Sequence, residues 1–381
     1  MKTKRLALKD ALMVVRKSLG TKSNLPVLKQ IIIETDPDHE QIHITGTDLE
    51  TEVTAHVPAT PDPDETKQSG LIDASKLYSF VRKGSSINDP WTITWEHDDE
   101  NDEKRYLRIA DRFNVYSMID MEEYPDTPDP RSNAVDSTSF NADTLYDHME
   151  ALTPLAGRDI STSYLRGVYV DPGGHLVSTN AHVMGVRTCD HTLTDSALLN
   201  IDTVDIVEYA LKKGKYPEDT PVDLVVGEDG FTFSTGPMNR DVSYEVMGRM
   251  VDEDFPNYEQ TIPDTKNGSL TFNRDDLMNE VEIAGQAVNE KTRRLTLDED
   301  GRLFGEDTDN NTEYSHGFEI VAQSGEFMTV GFNADYALKV LESTSGETVR
   351  VSVCDDPRGP ITFEGKDDRE HQYLLMPLRR E

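Results

Sequence analysis

The sequence predicts an α+β fold made of three repeated helix–strand domains, and three observations carry that prediction. Segments with helical spacing alternate with strand-like runs along the chain. A short signature, Phe-Asn-x-Asp, heads three of the helical segments. Two proline-containing joints of similar sequence divide the chain into comparable thirds.

The elements follow in order. Leu8, Leu12, Val15 and Leu19 line a first helix. Runs of alternating or β-branched residues come next, at Ile31–Ile33, Gln41–Ile44 and Glu52–Val57. Leu77, Phe80 and Val81 mark a second helix that Asp73 is placed to cap. The first joint, Glu123-Tyr124-Pro125-Asp126, runs into Thr127-Pro128-Asp129-Pro130. Phe140-Asn141-Ala142-Asp143 then opens a third helix with Leu145, Met149 and Leu152 on one face. A fourth carries Val204, Val207 and Leu211, with Asp202 as its expected cap. The second joint, Asp254-Phe255-Pro256-Asn257, leads to Ile262-Pro263-Asp264. Phe272-Asn273-Arg274-Asp275 precedes Leu277, Val281 and Ala284, and Phe332-Asn333-Ala334-Asp335 precedes Leu338 and Leu341, with Ala334 on the same face. In each signature Asn sits where a cap accepts free N–H groups and Asp where it meets the helix dipole. Turns are expected at Asp171–Gly174, Glu228–Gly230 and Asp298–Gly301. The domains are therefore expected at 1–130, 131–265 and 266–381.

Composition excludes several classes. A chain of 381 residues calls for two or three domains. No run approaches the roughly 18 apolar residues of a membrane helix, and the basic start, Met1–Arg5, has no apolar stretch behind it. Two distant cysteines, Cys189 and Cys354, fit a reducing, cytoplasmic location. The net charge of −34 argues against a protein that coats DNA, and it suits a high-salt cytosol. No phosphate-binding loop, metalloprotease motif, His–Cys spacing or nucleophile elbow occurs, so no catalytic residue, cofactor or metal is expected. Carboxylates such as Asp48 and Glu50 keep a hydrolase open as a remote reading.

Five collinear markers then carry a resemblance. They are Leu25-Pro26-Val27-Leu28 with Thr47-Asp48-Leu49-Glu50; Tyr164-Leu165-Arg166-Gly167 with Thr179–His182; Phe255–Tyr258; Asn289-Glu290-Lys291; and the ending Tyr373-Leu374-Leu375-Met376-Pro377-Leu378-Arg379. Together they resemble the bacterial beta sliding clamp family. Departures are Asn180-Ala181-His182 where the family has Asp-Gly-His, an acidic stretch near Glu96–Arg105, and a polar end at Arg380-Glu381.

The resemblance implies a non-catalytic processivity subunit of a DNA-directed DNA polymerase. It implies a head-to-tail homodimer, closed into a ring whose helices line a bore for duplex DNA. Lys22, Arg82, Lys83, Tyr164, Lys212, Lys213 and Arg293 are expected to face DNA without reading its sequence. A hydrophobic cleft for peptides of the polymerase and the clamp-loader ATPase is expected to use Leu165, Thr179, His182, Met184, Pro256, Leu374, Met376, Pro377, Leu378 and Arg379. Phe113 and Val115 are expected at the dimer interface, opposite Gln286 and Ala287, where the family is often more apolar. Basic side chains on the helices and acidic clusters such as Asp62–Glu65 and Asp367–Glu370 in loops would give a weakly basic bore inside an acidic shell. The alternative reading is a repeat-built acidic protein-binding module with no nucleic-acid role.

Overall fold

The structure is a computed structural model describing residues 1–98, 101–117, 119–159, 161–213, 216–217, 219–238, 241–366, 368 and 370–378. Among them are six α-helices: α1 Arg5–Val15, α2 Ala74–Lys83, α3 Ala142–Leu152, α4 Ile201–Lys213, α5 Arg274–Gly285 and α6 Ala334–Ser343. The strands of the first third are β1 Lys2–Thr3, β2 Gln30–Asp36, β3 Gln41–Thr47, β4 Thr51–Pro58, β5 Gln68–Asp73, β6 Trp91–Asp98, β7 Asn101–Ile109 and β8 Phe113–Tyr116. The middle third holds β9 Ala134–Asn141, β10 Gly167–Asp171, β11 His175–Thr179, β12 Val183–Thr188, β13 Ala197–Asn200, β14 Pro221–Gly227, β15 Gly230–Thr235 and β16 Ser243–Arg249. The last holds β17 Gly268–Asn273, β18 Arg294–Leu297, β19 Arg302–Asp307, β20 Thr312–Gly317, β21 Ala322–Gly325, β22 Val330–Asn333, β23 Thr348–Val353, β24 Ile361–Gly365 and β25 Gln372–Leu375.

Helices α2 to α6 are each entered straight from a strand, and the repeated signature is a device that makes the junction. Phe140, Phe272 and Phe332 end strands and are buried. Burying such a ring contributes about 1.5–3 kcal/mol and fixes where the strand stops. The following Asn turns the chain: Asn141 Oδ1 accepts from Asp143 N, Asn273 Oδ1 from Asp276 N, and Asn333 Oδ1 from Asp335 N and Tyr336 N. A cap of this kind contributes about 1 kcal/mol. Ile72-Asp73 does the same for α2, where Asp73 Oδ1 accepts from Lys76 N. At α4 the expected cap is corrected. Asp202 lies inside the first turn, and Asn200, the last residue of β13, holds the cap position. Leu199-Asn200-Ile201-Asp202 is thus the same signature with Leu in place of Phe. At α1 Lys4 holds the cap position and makes no side-chain cap bond.

The expected helix faces are the buried ones. Leu8, Leu12 and Val15 are buried on α1, Leu145, Met149 and Leu152 on α3, Val204, Val207 and Leu211 on α4, and Leu277, Val281 and Ala284 on α5. On α6 the face centres on Ala337, Val340 and Leu341, and Leu338 is only half-buried. The turn expectations at Asp171–Gly174, Glu228–Gly230 and Asp298–Gly301 each join antiparallel neighbours. Gly174 and Gly301 adopt φ of +85° and +73°, open to glycine at no steric cost.

The chain forms two compact units. The first comprises 1–146, 191–194 and 202–250, the second 147–190, 195–201 and 251–381. The middle third is shared because its strands pair with both neighbours in sequence. In the first unit β16 pairs with β4, giving an eight-stranded sheet β5-β2-β3-β4-β16-β15-β14-β9. In the second β12 pairs with β25, giving a nine-stranded sheet β13-β10-β11-β12-β25-β24-β23-β17-β21. Each unit also has a four-stranded sheet, β1-β6-β7-β8 and β20-β19-β18-β22 respectively.

The acidic loop at Asp62–Glu65 is more than a solvated face. Lys2 Nζ donates to Asp62 Oδ1 at 2.6 Å, and the amino group of Met1 donates to Glu65 Oε1 at 2.6 Å. Both cysteines are free thiols, and burial pushes that of Cys189 up to about 12. No helix among the described residues is long and apolar enough to cross a membrane.

Candidate functional site

The second unit contains a cleft of about 240 Å³ assembled from four elements. A single 3-10 turn at Ser163–Leu165 supplies Tyr164 and Leu165. The β11–β12 hairpin supplies Thr179, Ala181, His182 and Met184. The segment after Phe255 supplies Pro256 and Tyr258, and β25 with the residue beyond it supplies Leu374 and Met376.

Local chemistry shapes the hairpin end. Thr179 Oγ1 donates to Val183 O and accepts from Ala181 N, while Asn180 Oδ1 accepts from His182 N and Val183 N. Ala181 takes φ of 70°, so alanine keeps a left-handed turn that glycine would make without strain. The turn delivers His182 onto the Tyr336 ring, stacked at 4.9 Å and 15°. Met376 N donates to His182 O, which extends the β12–β25 ladder to the cleft's edge. Met184 and Leu374 are direct cross-strand partners and share an apolar cluster with Val177, Val186 and Tyr258. The Tyr258 hydroxyl donates to Asp171. Burial works to raise the Asp171 carboxyl, but that bond and the Gly173 amide outweigh it and hold the group below its ordinary range.

None of the described lining residues is Asp, Glu, Lys or Arg, in a chain that is 29% charged. Leu165, Thr179, His182, Met184, Pro256, Leu374 and Met376, which the resemblance implied for a peptide cleft, all line this hollow. Pro377 and Leu378 lie beyond the lining and are half-buried, with Leu378 N donating to Gly331 O. Arg379 falls outside the described residues. Sequence reasoning missed Tyr258, although it sits two places after Pro256 in a quoted marker, and Tyr164, expected near DNA, also lines this rim.

Behind the cleft the same two strands turn polar groups inward, Arg187 from β12 and Tyr373 from β25. Arg187 of β12 is 7% exposed. Its Nε donates to His148 Nδ1 at 2.8 Å, its Nη1 to the Tyr373 hydroxyl at 2.5 Å, and its Nη1 lies 3.6 Å from Asp368 Oδ2. His371 Nδ1 accepts from Thr188 N, and its Nε2 lies 3.2 Å from Asp368 Oδ1. Burial, then the Arg187 charge and His371, push His148 down to about 3, so it is neutral. Burial and Arg187 also lower His371.

The first unit has a groove of about 770 Å³ between α2 and β8. Phe113 stacks on Phe80 at 4.3 Å and 6°, Val115 is buried, and Asp73, Lys76 and Lys83 join the lining. β8 ends its sheet. In the second unit Gln286 and Ala287 follow α5, and Ala287 O accepts from Thr312 Oγ1 of β20, the terminal strand of the other four-stranded sheet.

The expected DNA-facing residues occupy helix ends and turns. Lys22 is exposed in the turn after α1, Arg82 and Lys83 are exposed in the last turn of α2, and Lys212 is exposed near the end of α4. The side chain of Lys213 falls outside the described residues. Arg293 is committed within the fold: its Nε and Nη2 donate to Asp335 Oδ1 at 3.0 and 2.9 Å, and its Nη1 donates to Gly285 O. Glu34, Asp36 and His43 converge within 4.8 Å, and Lys67 Nζ supplies the positive charge there, 2.9 Å from Glu34 and 3.3 Å from Asp36.

Residues 1–128 match the family model for the DNA polymerase III beta subunit, N-terminal domain. The beta sliding clamp of Vibrio cholerae is 26% identical over 374 residues, covering 95% of this chain and 94% of its own. That of Escherichia coli K12 is 26% identical over 375 residues with the same coverage. The crystal structure of the DNA polymerase III subunit beta from Pseudomonas aeruginosa superposes with a TM-score of 0.82 at 20% identity, covering 100% of both chains, which shows the shared fold. Over residues 1–128 and along nearly its full length, the chain is similar to bacterial beta sliding clamps.

Proposed function

We propose that this chain is a DNA sliding clamp, a non-catalytic processivity subunit that encircles duplex DNA and tethers a replicative DNA polymerase. The observation that carries the reading is collinearity, since beta sliding clamps align with 95% of the chain. The thirds 1–130, 131–265 and 266–381 then act as three clamp domains, each contributing two helices. Two chains closing head to tail would put twelve such helices round the hole, because repeated units supply the rotation that closes a ring. The groove with Phe113 and Val115 on one copy would meet Gln286, Ala287 and the β20 edge on the other. That junction is supported by each being the end of a sheet, since an open strand edge pairs readily with another.

Lys22, Arg82, Lys83, Lys212 and Lys213 would face the duplex, with Tyr164 near its path. Arg293 would add mainly positive potential, as its Nε, Nη1 and Nη2 each already donate within the fold. Few fixed phosphate contacts suit a protein that must slide, since each one adds affinity and salt dependence. The uncharged cleft would take short apolar peptides of the polymerase and of a clamp-loader ATPase, in the cytoplasm. Support for an acidic binding module without a nucleic-acid role is lacking, because the relatives along the whole chain are sliding clamps.

The test is topological. Loaded onto nicked circular DNA by its own loader and ATP, the protein should stay bound in salt that strips phosphate-binding proteins. Cutting the circle once should release it. Equal retention on circular and linear DNA overturns the reading.

A further inference from the structure

We propose that the peptide partners of the cleft carry basic residues beside their apolar anchors; this rests on the docking reading above. The floor selects apolar side chains and contributes no charge. A volume of about 240 Å³ lies below the ~300–1,000 Å³ of pockets for drug-sized ligands. It suits a few side-chain anchors whose flanks stay outside, over the rim.

The described rim is acidic. Asp252, Glu253 and Asp254 form an exposed run leading directly into the Phe255–Tyr258 wall, and Glu259 is exposed just after it. Ser163 Oγ donates to Glu253, which fixes that carboxylate beside Tyr164. The cation nearest in sequence, Arg166, is half-buried and already partnered. A peptide flank on this side of the cleft therefore meets several exposed carboxylates. The chain's −34 charge adds the same bias over longer range. Exposed charges interact across about 8 Å at physiological salt but only about 3 Å at molar salt. Like charges across a rim suppress the wrong partner, and opposite charges speed encounter.

The experiment uses the full chain and two short fluorescein-labelled peptides with one shared leucine- and phenylalanine-rich centre, flanked by lysines or by glutamates. Anisotropy should show the lysine-flanked peptide binding roughly tenfold or more tightly at low salt, with the gap closing at molar salt. Glu253→Gln with Asp254→Asn should narrow the gap severalfold while leaving the molar-salt affinity in place. Arg379 and Arg380, outside the described residues, favour the glutamate-flanked peptide, so the assay weighs them directly. Equal binding of both peptides, displaced alike by an unlabelled copy of the centre, overturns the basic-flank proposal and keeps the docking site. Binding of neither peptide overturns the docking reading, and this proposal with it.

Discussion

The groove of the first unit and the cleft of the second are both apolar hollows, yet they are built on opposite principles. The groove is bordered by a strand with an open edge, and Asp73, Lys76 and Lys83 stand among its apolar residues. The cleft is walled by strands whose ladders are closed, β12 between β11 and β25, and its lining is uncharged. An open edge offers main-chain bonds, which hold any well-shaped strand but discriminate little between sequences. A closed wall offers only side-chain contacts, which select particular anchors and release them. The first arrangement suits one permanent partner, the second several exchanging ones.

The largest expected effect comes from what lies behind the cleft. Arg187 holds His148, Tyr373 and Asp368 together, and Asp368 in turn meets His371. Arg187→Met leaves the buried Asp368 carboxylate without its arginine and should cost about 3–5 kcal/mol, read as a lowered chemical-denaturation midpoint. Hydrogen exchange should quicken at β12 and β25 and stay unchanged at α2 and β8. Equal acceleration in both places would erase the distinction between the two hollows.

Next comes the groove. Phe113→Asp places a carboxylate against Phe80 at the proposed junction. The dimer should weaken by about 3 kcal/mol, or roughly a hundredfold, in sedimentation equilibrium. Peptide affinity at the cleft should stay within a factor of about two. A variant that remains dimeric at nanomolar concentration removes the groove from the ring junction.

The two hollows were not equally legible in sequence. Six of the seven lining residues named beforehand lie in three short markers, Tyr164–Gly167, Thr179–His182 and the chain's end, or beside them at Met184. Tyr258 escaped because its value lies in a tertiary bond to Asp171, 87 positions away, which no local pattern records. Phe113 and Val115 could be named for the groove, but their partner Phe80 read only as a helix-face residue. The helices were legible because the strand-end Phe and capping Asn act locally. Asp202 misled for the same reason: Asp in a first turn and Asp at a cap look alike until the end of β13 is seen. The sharing of the middle third between two units was not legible, since the β4–β16 and β12–β25 pairings depend on long-range register.

The smallest effect is a slope with pH, and it belongs to the second unit. His148 accepts from Arg187 Nε and titrates near pH 3 in the folded protein, against an ordinary value of 6.5. Between those values the unfolded chain holds a proton that the folded chain refuses. Stability is therefore fully present above 6.5 and falls as pH drops toward 3, by about 1.4 kcal/mol per pH unit. His371, also lowered, steepens the fall in the same direction. His148→Asn keeps an acceptor facing Arg187 but does not titrate, so denaturation midpoints measured from pH 7 to 5 should decline less steeply than in the parent. The groove, with no histidine in its lining, should keep its self-association over the same range. If the Asn variant retains the full slope, the proton is taken up elsewhere, and the network behind the cleft is not what separates the two hollows in acid.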